Sequence, residues 1–327
     1  WLLSVMGTHR LILLSAAVLV AVAVLVMGRV DWRKVALLLL VAALAALSFA
    51  TADGGQVTLD TQYDRYMLRT ATDPVSGRPL VGLSRDFISA ESVSYADTGE
   101  PYAFDYYAYY DLAAALHGGV SRALLIGGGT FSYPRIFLGA NPGATIDVVE
   151  IDGELVSVAE EHFGFVRDER MPLHLEDGRT FLNRATGPYD VVLVDAFKSE
   201  STVPYQLTTI ESWRRCADVL ADDGILVMNV IASPTDERAR FFDALVASIS
   251  AVFPNVEVFA VQGLAADFPL QNTSIVAALD PTLDLAAEIE ALAPELAANR
   301  IVGYEVPPGT VPLTDDFAPV DQYLMGL

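Results

Sequence analysis

Four short stretches carry the residue types from which chemistry could be built. Gly127, Gly128 and Gly129 close the apolar run ALLIGGG at 123–129. Glycines at such a strand end permit a tight turn and let the backbone approach a ligand beside a helix N-terminus, although a turn of this kind can also be purely structural. Glu150 lies in the next apolar run, TIDVVEID at 145–152, about twenty residues on, where a carboxylate can accept hydrogen bonds from both ribose hydroxyls of a nucleoside or be an ordinary strand-end acid. Asp177, in HLEDGRTF, precedes an expected helix; it could accept an adenine amino hydrogen and serves equally well as an N-cap. Asp195 follows the apolar residues of YDVVLVDAF at 189–197. An ionised carboxylate there is costly unless paired or solvated, which favours a functional role.

The elements that must hold these residues are short apolar runs alternating with helical segments. Besides 123–129, 145–152 and 189–197, strands are expected over 224–231, 255–261 and 273–279, and helices over 153–163, 209–220 and 283–292. Runs without alternation are strands buried on both faces, as in βαβ units with a parallel sheet, where ligands sit beyond the carboxyl ends. Upstream, the mixed aromatic, Thr and charged residues of 57–70, the turn DPVSGRP at 73–79 and a second strand pair through Tyr95 predict a small β-rich domain over 51–103. FDYYAYYDLAAAL at 104–116 leads into the main domain, 104–327. Its tyrosines fit packing between domains or a substrate-cleft wall.

The 327 residues hold 42 acidic and 20 basic side chains and are 53% hydrophobic, which excludes a disordered chain and a disulfide-stapled miniprotein. Cys216 is the only cysteine, so no internal disulfide or four-thiolate metal site exists. His9, His117, His162 and His174 form no close ligand motif, and no metal is expected. After residue 50 there are 16 basic and 41 acidic residues, a balance that repels nucleic acid and attracts cationic small molecules. Two uncharged stretches, 11–27 and 35–50, read as transmembrane helices within 1–50, and a chain starting at Trp1 reads as an internal fragment of a longer membrane protein. Arg29, Arg33 and Lys34 in the link place that link in the cytoplasm. The chemistry needs an intracellular nucleoside and instead puts the large domain there, giving a multi-pass protein with lipid contact and a cytoplasmic catalytic domain.

The ordered set IGGG, VVEID, EDG, YDVVLVDAF and the terminal LTDDFAPVDQYL resembles the spermidine synthase-like family of polyamine aminopropyltransferases, particularly its membrane-fused bacterial branch, over about residues 57–325. The resemblance implies an α/β fold: a Rossmann-like methyltransferase-type sheet with a small N-terminal β domain, here preceded by transmembrane helices. It implies aminopropyl transfer from decarboxylated S-adenosylmethionine to an amine or polyamine. Gly127 to Gly129 would line the donor turn, Glu150 would hold ribose, Asp177 would contact adenine, and Asp195 would be the catalytic carboxylate. Tyr63, Tyr66, Tyr205 and Gln206 are candidates for the amine site, and the tail acids Asp315, Asp316 and Asp321 for negative potential beside it. A homodimer stays open. Two departures matter. Thr130, Phe131 and Ser132 stand where the family has an acid after the glycine turn, and Lys198 in DAFKS replaces a second acid. They keep two alternatives in view, an S-adenosylmethionine-dependent methyltransferase and a non-catalytic nucleoside or polyamine sensor.

Overall fold

The computed structural model describes residues 57–85, 91–196, 203–234, 239–263 and 270–325, with scattered positions between 11 and 43. The chain divides between Glu100 and Pro101 into two compact units. The first contains β1 (Val57–Asp60), β2 (Arg65–Thr72), β3 (Pro79–Ser84) and β4 (Ser92–Tyr95), an antiparallel meander in that order. Tyr66, Leu68, Leu80 and Leu83 are its buried apolar residues. Asp73 builds the β2–β3 turn, accepting hydrogen bonds from Val75 N at 2.9 Å, Ser76 Oγ at 2.6 Å and Tyr95 Oη at 2.7 Å. Gly77 supplies the left-handed backbone the turn needs, with φ 71°.

The Ser76 bond foremost, then those from Val75 and Tyr95, lower the Asp73 carboxyl to about 2. A folded value below the unfolded one stabilises fully above about pH 4, and that contribution is lost as pH falls toward 2. Thermal melts followed by circular dichroism should therefore lose more stability between pH 4 and pH 2 in the wild type than in Asp73→Asn. Parallel curves would discard the assignment.

The second unit is a seven-stranded sheet. Its strands are β5 (Arg122–Ile126), β6 (Thr145–Glu150), β7 (Leu173–Leu175), β8 (Tyr189–Val194), β9 (Leu220–Ala232), β10 (Asn255–Ala260) and β11 (Gln271–Ala278). They lie in the order β10-β11-β9-β8-β5-β6-β7. β11 runs antiparallel to both β9 and β10, while β9, β8, β5, β6 and β7 pair in parallel. The chain leaves β5 toward β6 on one side and β8 continues on the other. The gap between β5 and β8 is thus a topological switch point, where open α/β sheets leave a crevice at the carboxyl ends.

Helices cover both faces: α1 (Tyr107–His117), α2 (Ser132–Ala140), α3 (Glu154–His162), α4 (Gly178–Leu182), α5 (Ile210–Val219), α6 (Ala239–Ser250), α7 (Leu285–Leu292), α8 (Pro294–Ala297) and α9 (Val320–Leu324). Alternate strand residues feed two cores. Leu125, Val148, Leu193 and Val227 pack with α1, while Leu124, Val149, Val192 and Met228 pack with α5 and α6. Each such side chain stabilises the fold by about 1.5–3 kcal/mol, which is why the strands read as unbroken apolar runs.

The multi-pass membrane placement is corrected. Among the described residues no helix is long and apolar enough to cross a membrane. Most of 35–50 and part of 11–27 lie outside the described residues, and the two stretches lie at or below the short end of the length a helix needs to span the hydrocarbon. The transmembrane helices and the multi-pass localisation read from them are not supported.

Candidate functional site

The glycine turn sits at the switch point because nothing larger fits. Gly127 has φ 101°, and a Cβ there would lie 2.2 Å from the Asp195 carbonyl oxygen. Its N–H donates to Val149 O at 2.8 Å, and Asp195 N–H donates to Ile126 O at 2.7 Å. The ends of β5, β6 and β8 are therefore laced together. Gly128 N–H and Gly129 N–H each donate to Glu150 Oε2 at 2.9 Å, and Asp152 N–H donates to Oε1 at 2.8 Å. Burial raises the Glu150 pKa, against the opposing pull of these three amides. Three of the carboxylate's roughly four lone-pair sites are used, leaving acceptor capacity on Oε1.

Asp177 caps α4, accepting Thr180 N–H on Oδ1 at 2.8 Å, and its Oδ2 accepts Gln206 Nε2–H at 3.2 Å. The cap and the second oxygen's outward bond coexist. A Cβ on Gly178 would lie 2.6 Å from Ile126 Cγ2, so α4 begins directly against the last residue of β5. Glu150, Asp177 and Asp195 thus all border one strand end. Tyr205 is exposed in the 3-10 turn Tyr205–Leu207. Among the tail acids, Asp315 is engaged: Arg179 Nη2 donates to its Oδ2 at 2.7 Å, Thr209 Oγ1 to its Oδ1 at 2.7 Å, and Arg179 Nη1 reaches Gln206 O at 3.0 Å. This ties the C-terminal segment to the turn beside Asp177. Asp316 and Asp321 are exposed.

Asp195 is half-buried and accepts Asn229 Nδ2–H on Oδ1 at 3.2 Å. Burial pushes its pKa up to about 6, opposed by Asn229 and the hydroxyls of Tyr110 and Tyr106. Burial and the Asp195 charge in turn push both tyrosines and Tyr107 upward, so these phenols stay neutral. Asn229 Oδ1 is buried and, among the described residues, has no hydrogen-bond partner. Tyr107 and Tyr110 of α1 and Tyr106 just before it line Asp195 and pack on one another, with the Tyr106 and Tyr107 rings 4.8 Å apart. Asn229 was not singled out in the sequence; an amide between Met228 and Val230 in a doubly buried strand was the available signal.

Tyr63 and Tyr66 belong to the N-terminal unit, where Tyr63 is exposed and Tyr66 is buried beneath the Arg85 guanidinium at 5.5 Å. Lys198 lies outside the described residues. Among the described residues no group of three or more His, Cys, Asp or Glu is arranged to hold a metal ion.

Residues 109–262 match the spermine/spermidine synthase domain. Over 150 residues, 45% of this chain, the sequence is 33% identical to a protein of Bifidobacterium longum described as a probable polyamine aminopropyl transferase. It is also 28% identical over 149 residues, 43% of this chain, to the mouse eEF1A lysine and N-terminal methyltransferase. These alignments cover 33% and 21% of the relatives' own lengths. A crystal structure described as a probable spermidine synthase from Corynebacterium glutamicum superposes with a TM-score of 0.60 at 20% identity, covering 79% of this chain and 96% of that one. This last likeness bears on the fold alone, a Rossmann-like methyltransferase-type sheet. The family match lies within the main domain expected over 104–327.

Proposed function

We propose that residues 101–327 act as an aminopropyltransferase that moves the aminopropyl group of decarboxylated S-adenosylmethionine to a small amine or polyamine. The observation that carries this reading is Asp195, a carboxylate raised to about 6 at the β5–β8 switch point, walled by neutral tyrosines beside a glycine turn. An alkylammonium is protonated at neutral pH and has no lone pair for attack. Asp195, largely ionised at that pH, binds the cation and takes one of its protons, and its burial makes it a stronger base than a solvated carboxylate. The freed nitrogen attacks the carbon beside sulfur; the N–C bond forms, the C–S bond breaks, and its electron pair passes to sulfur. The bound donor supplies the sulfonium leaving group. Glu150 accepts from a ribose hydroxyl through the capacity left on Oε1, and Asp177 with Gln206 faces its adenine. The strongly acidic chain favours a cationic acceptor.

Methyl transfer is the second reading. Thr130, Phe131 and Ser132, all buried after the glycine turn, offer no carboxylate to the free ammonium of a decarboxylated donor. The protein should be incubated with each donor and a panel of amines, and the acceptor product weighed by mass spectrometry. We expect an aminopropyl mass increment over many turnovers. A methyl increment would replace the first reading with the second, and tight binding without turnover would reduce the domain to a sensor.

A further inference from the structure

We infer that Asn229, held in place by Asn272, is the positioning residue that keeps the Asp195 carboxylate oriented and ionised, an inference that rests on the transfer reading above. Asn229 stands in β9 between Met228 and Val230, both fully buried. Its two Nδ2 hydrogens are spent on Asp195 Oδ1 at 3.2 Å and on Asn272 Oδ1 at 3.1 Å. An ionised carboxylate only accepts, so the amide must turn its nitrogen toward Asp195, and the orientation is fixed. That orientation strands Asn229 Oδ1, buried and without a partner among the described residues. An apolar residue would fill the space without this penalty, so packing alone does not account for the amide.

The second amide comes from the opposite direction of chain. Asn229 faces Ser274 across the antiparallel β9–β11 pair, and Asn272 lies two residues before Ser274 on the same face, the one covered by α1. Against Asp195 stand Tyr107 and Tyr110 from α1, Tyr106 just before it, and Asn229 from β9. No described cation contributes to its charge state, and Asn229 is the foremost group opposing burial. The pair therefore supplies the donor that a nearby Lys or Arg would otherwise provide.

The test compares the full chain with Asn229→Leu and Asn272→Leu, measuring kcat/KM against pH and titrating the Asp195 side chain by carbon-13 NMR, with Asp195→Asn to assign the signal. Asn229→Leu should move the acid limb and the titration up by about one pH unit. That gives about a tenfold loss of kcat/KM at pH 5 that closes to under twofold at pH 9. Asn272→Leu should shift both in the same direction by less, since the donor stays but loses its anchor. A uniform fall in rate at every pH with an unmoved titration would mean packing only and overturn the inference. Should the wild type transfer nothing from either donor, the transfer reading fails; the NMR titration still decides the inference, a displaced midpoint upholding it and an unmoved one ending it.

Discussion

Replacing Asp195 by Asn should lower transfer by roughly 100-fold or more, the size typical of a lost, positioned acid-base group, while donor affinity changes little. The substitution is close to isosteric, and Asn229 Nδ2 can donate to the new carbonyl oxygen as it does to Oδ1. What disappears is the charge that holds an alkylammonium and the base that receives its proton. Stability should move the other way. The folded pKa of about 6 lies above the unfolded value near 4, so burial opposes ionisation and the wild type gives up stability as pH rises through that interval. Asp195→Asn is spared this loss and should melt higher at pH 8, with the difference vanishing below about pH 4. A slower enzyme that is more stable is what a charge kept for chemistry predicts. Unchanged turnover in this variant would remove Asp195 from the mechanism.

The strands that carry the site were legible because each is buried on both faces. Residues 145–152 and 189–197 contain β6 and β8, and Glu150 and Asp195 stand at or just beyond those strand ends, the places where acids interrupt apolar runs. What escaped the sequence is what depends on tertiary pairing. β7 has three residues with no burial pattern of their own and exists through its parallel register with β6. β9 starts at Leu220 rather than Gly224, since Leu220 pairs with Tyr189 ahead of an irregularity in the ladder, across the polar Ala221–Asp223 stretch. Helix α2 follows the glycine turn through Phe131, a non-glycine residue at φ 58°, with Pro134 inside it, so neither a cap nor a propensity announces it. The Asn229–Asn272 contact joins residues 43 apart through an antiparallel strand. No spacing rule reaches that far. For Asp177 the cap and ligand readings were equally open, and the Thr180 bond establishes the cap without using Oδ2 on the helix.

Glu150 is the second position where a large effect is expected, and it does two jobs that can be separated. As a proposed acceptor for a ribose hydroxyl, its loss in Glu150→Ala should weaken nucleoside binding by about 2–4 kcal/mol, or roughly 30- to 1,000-fold in Kd. As the buried acceptor of three amides, those of Gly128, Gly129 and Asp152, it also sets the shape of the turn a donor would meet. Alanine leaves those N–H groups facing apolar surface or water, so the melting temperature should fall as well. Glu150→Gln divides the two contributions. Its oxygen can still take both glycine amides, but the NH2 then confronts Asp152 N–H and offers no lone pair on the side where Oε1 has spare capacity. Affinity in the Gln variant should therefore drop nearly as far as in Ala, while its melting temperature stays closer to the wild type. Calorimetric titration with methylthioadenosine, beside thermal melts of all three proteins, reads both quantities. Equal affinity across the set would show that Glu150 only ties the turn, and a Gln variant that binds like the wild type but melts like Ala would reverse the two assignments.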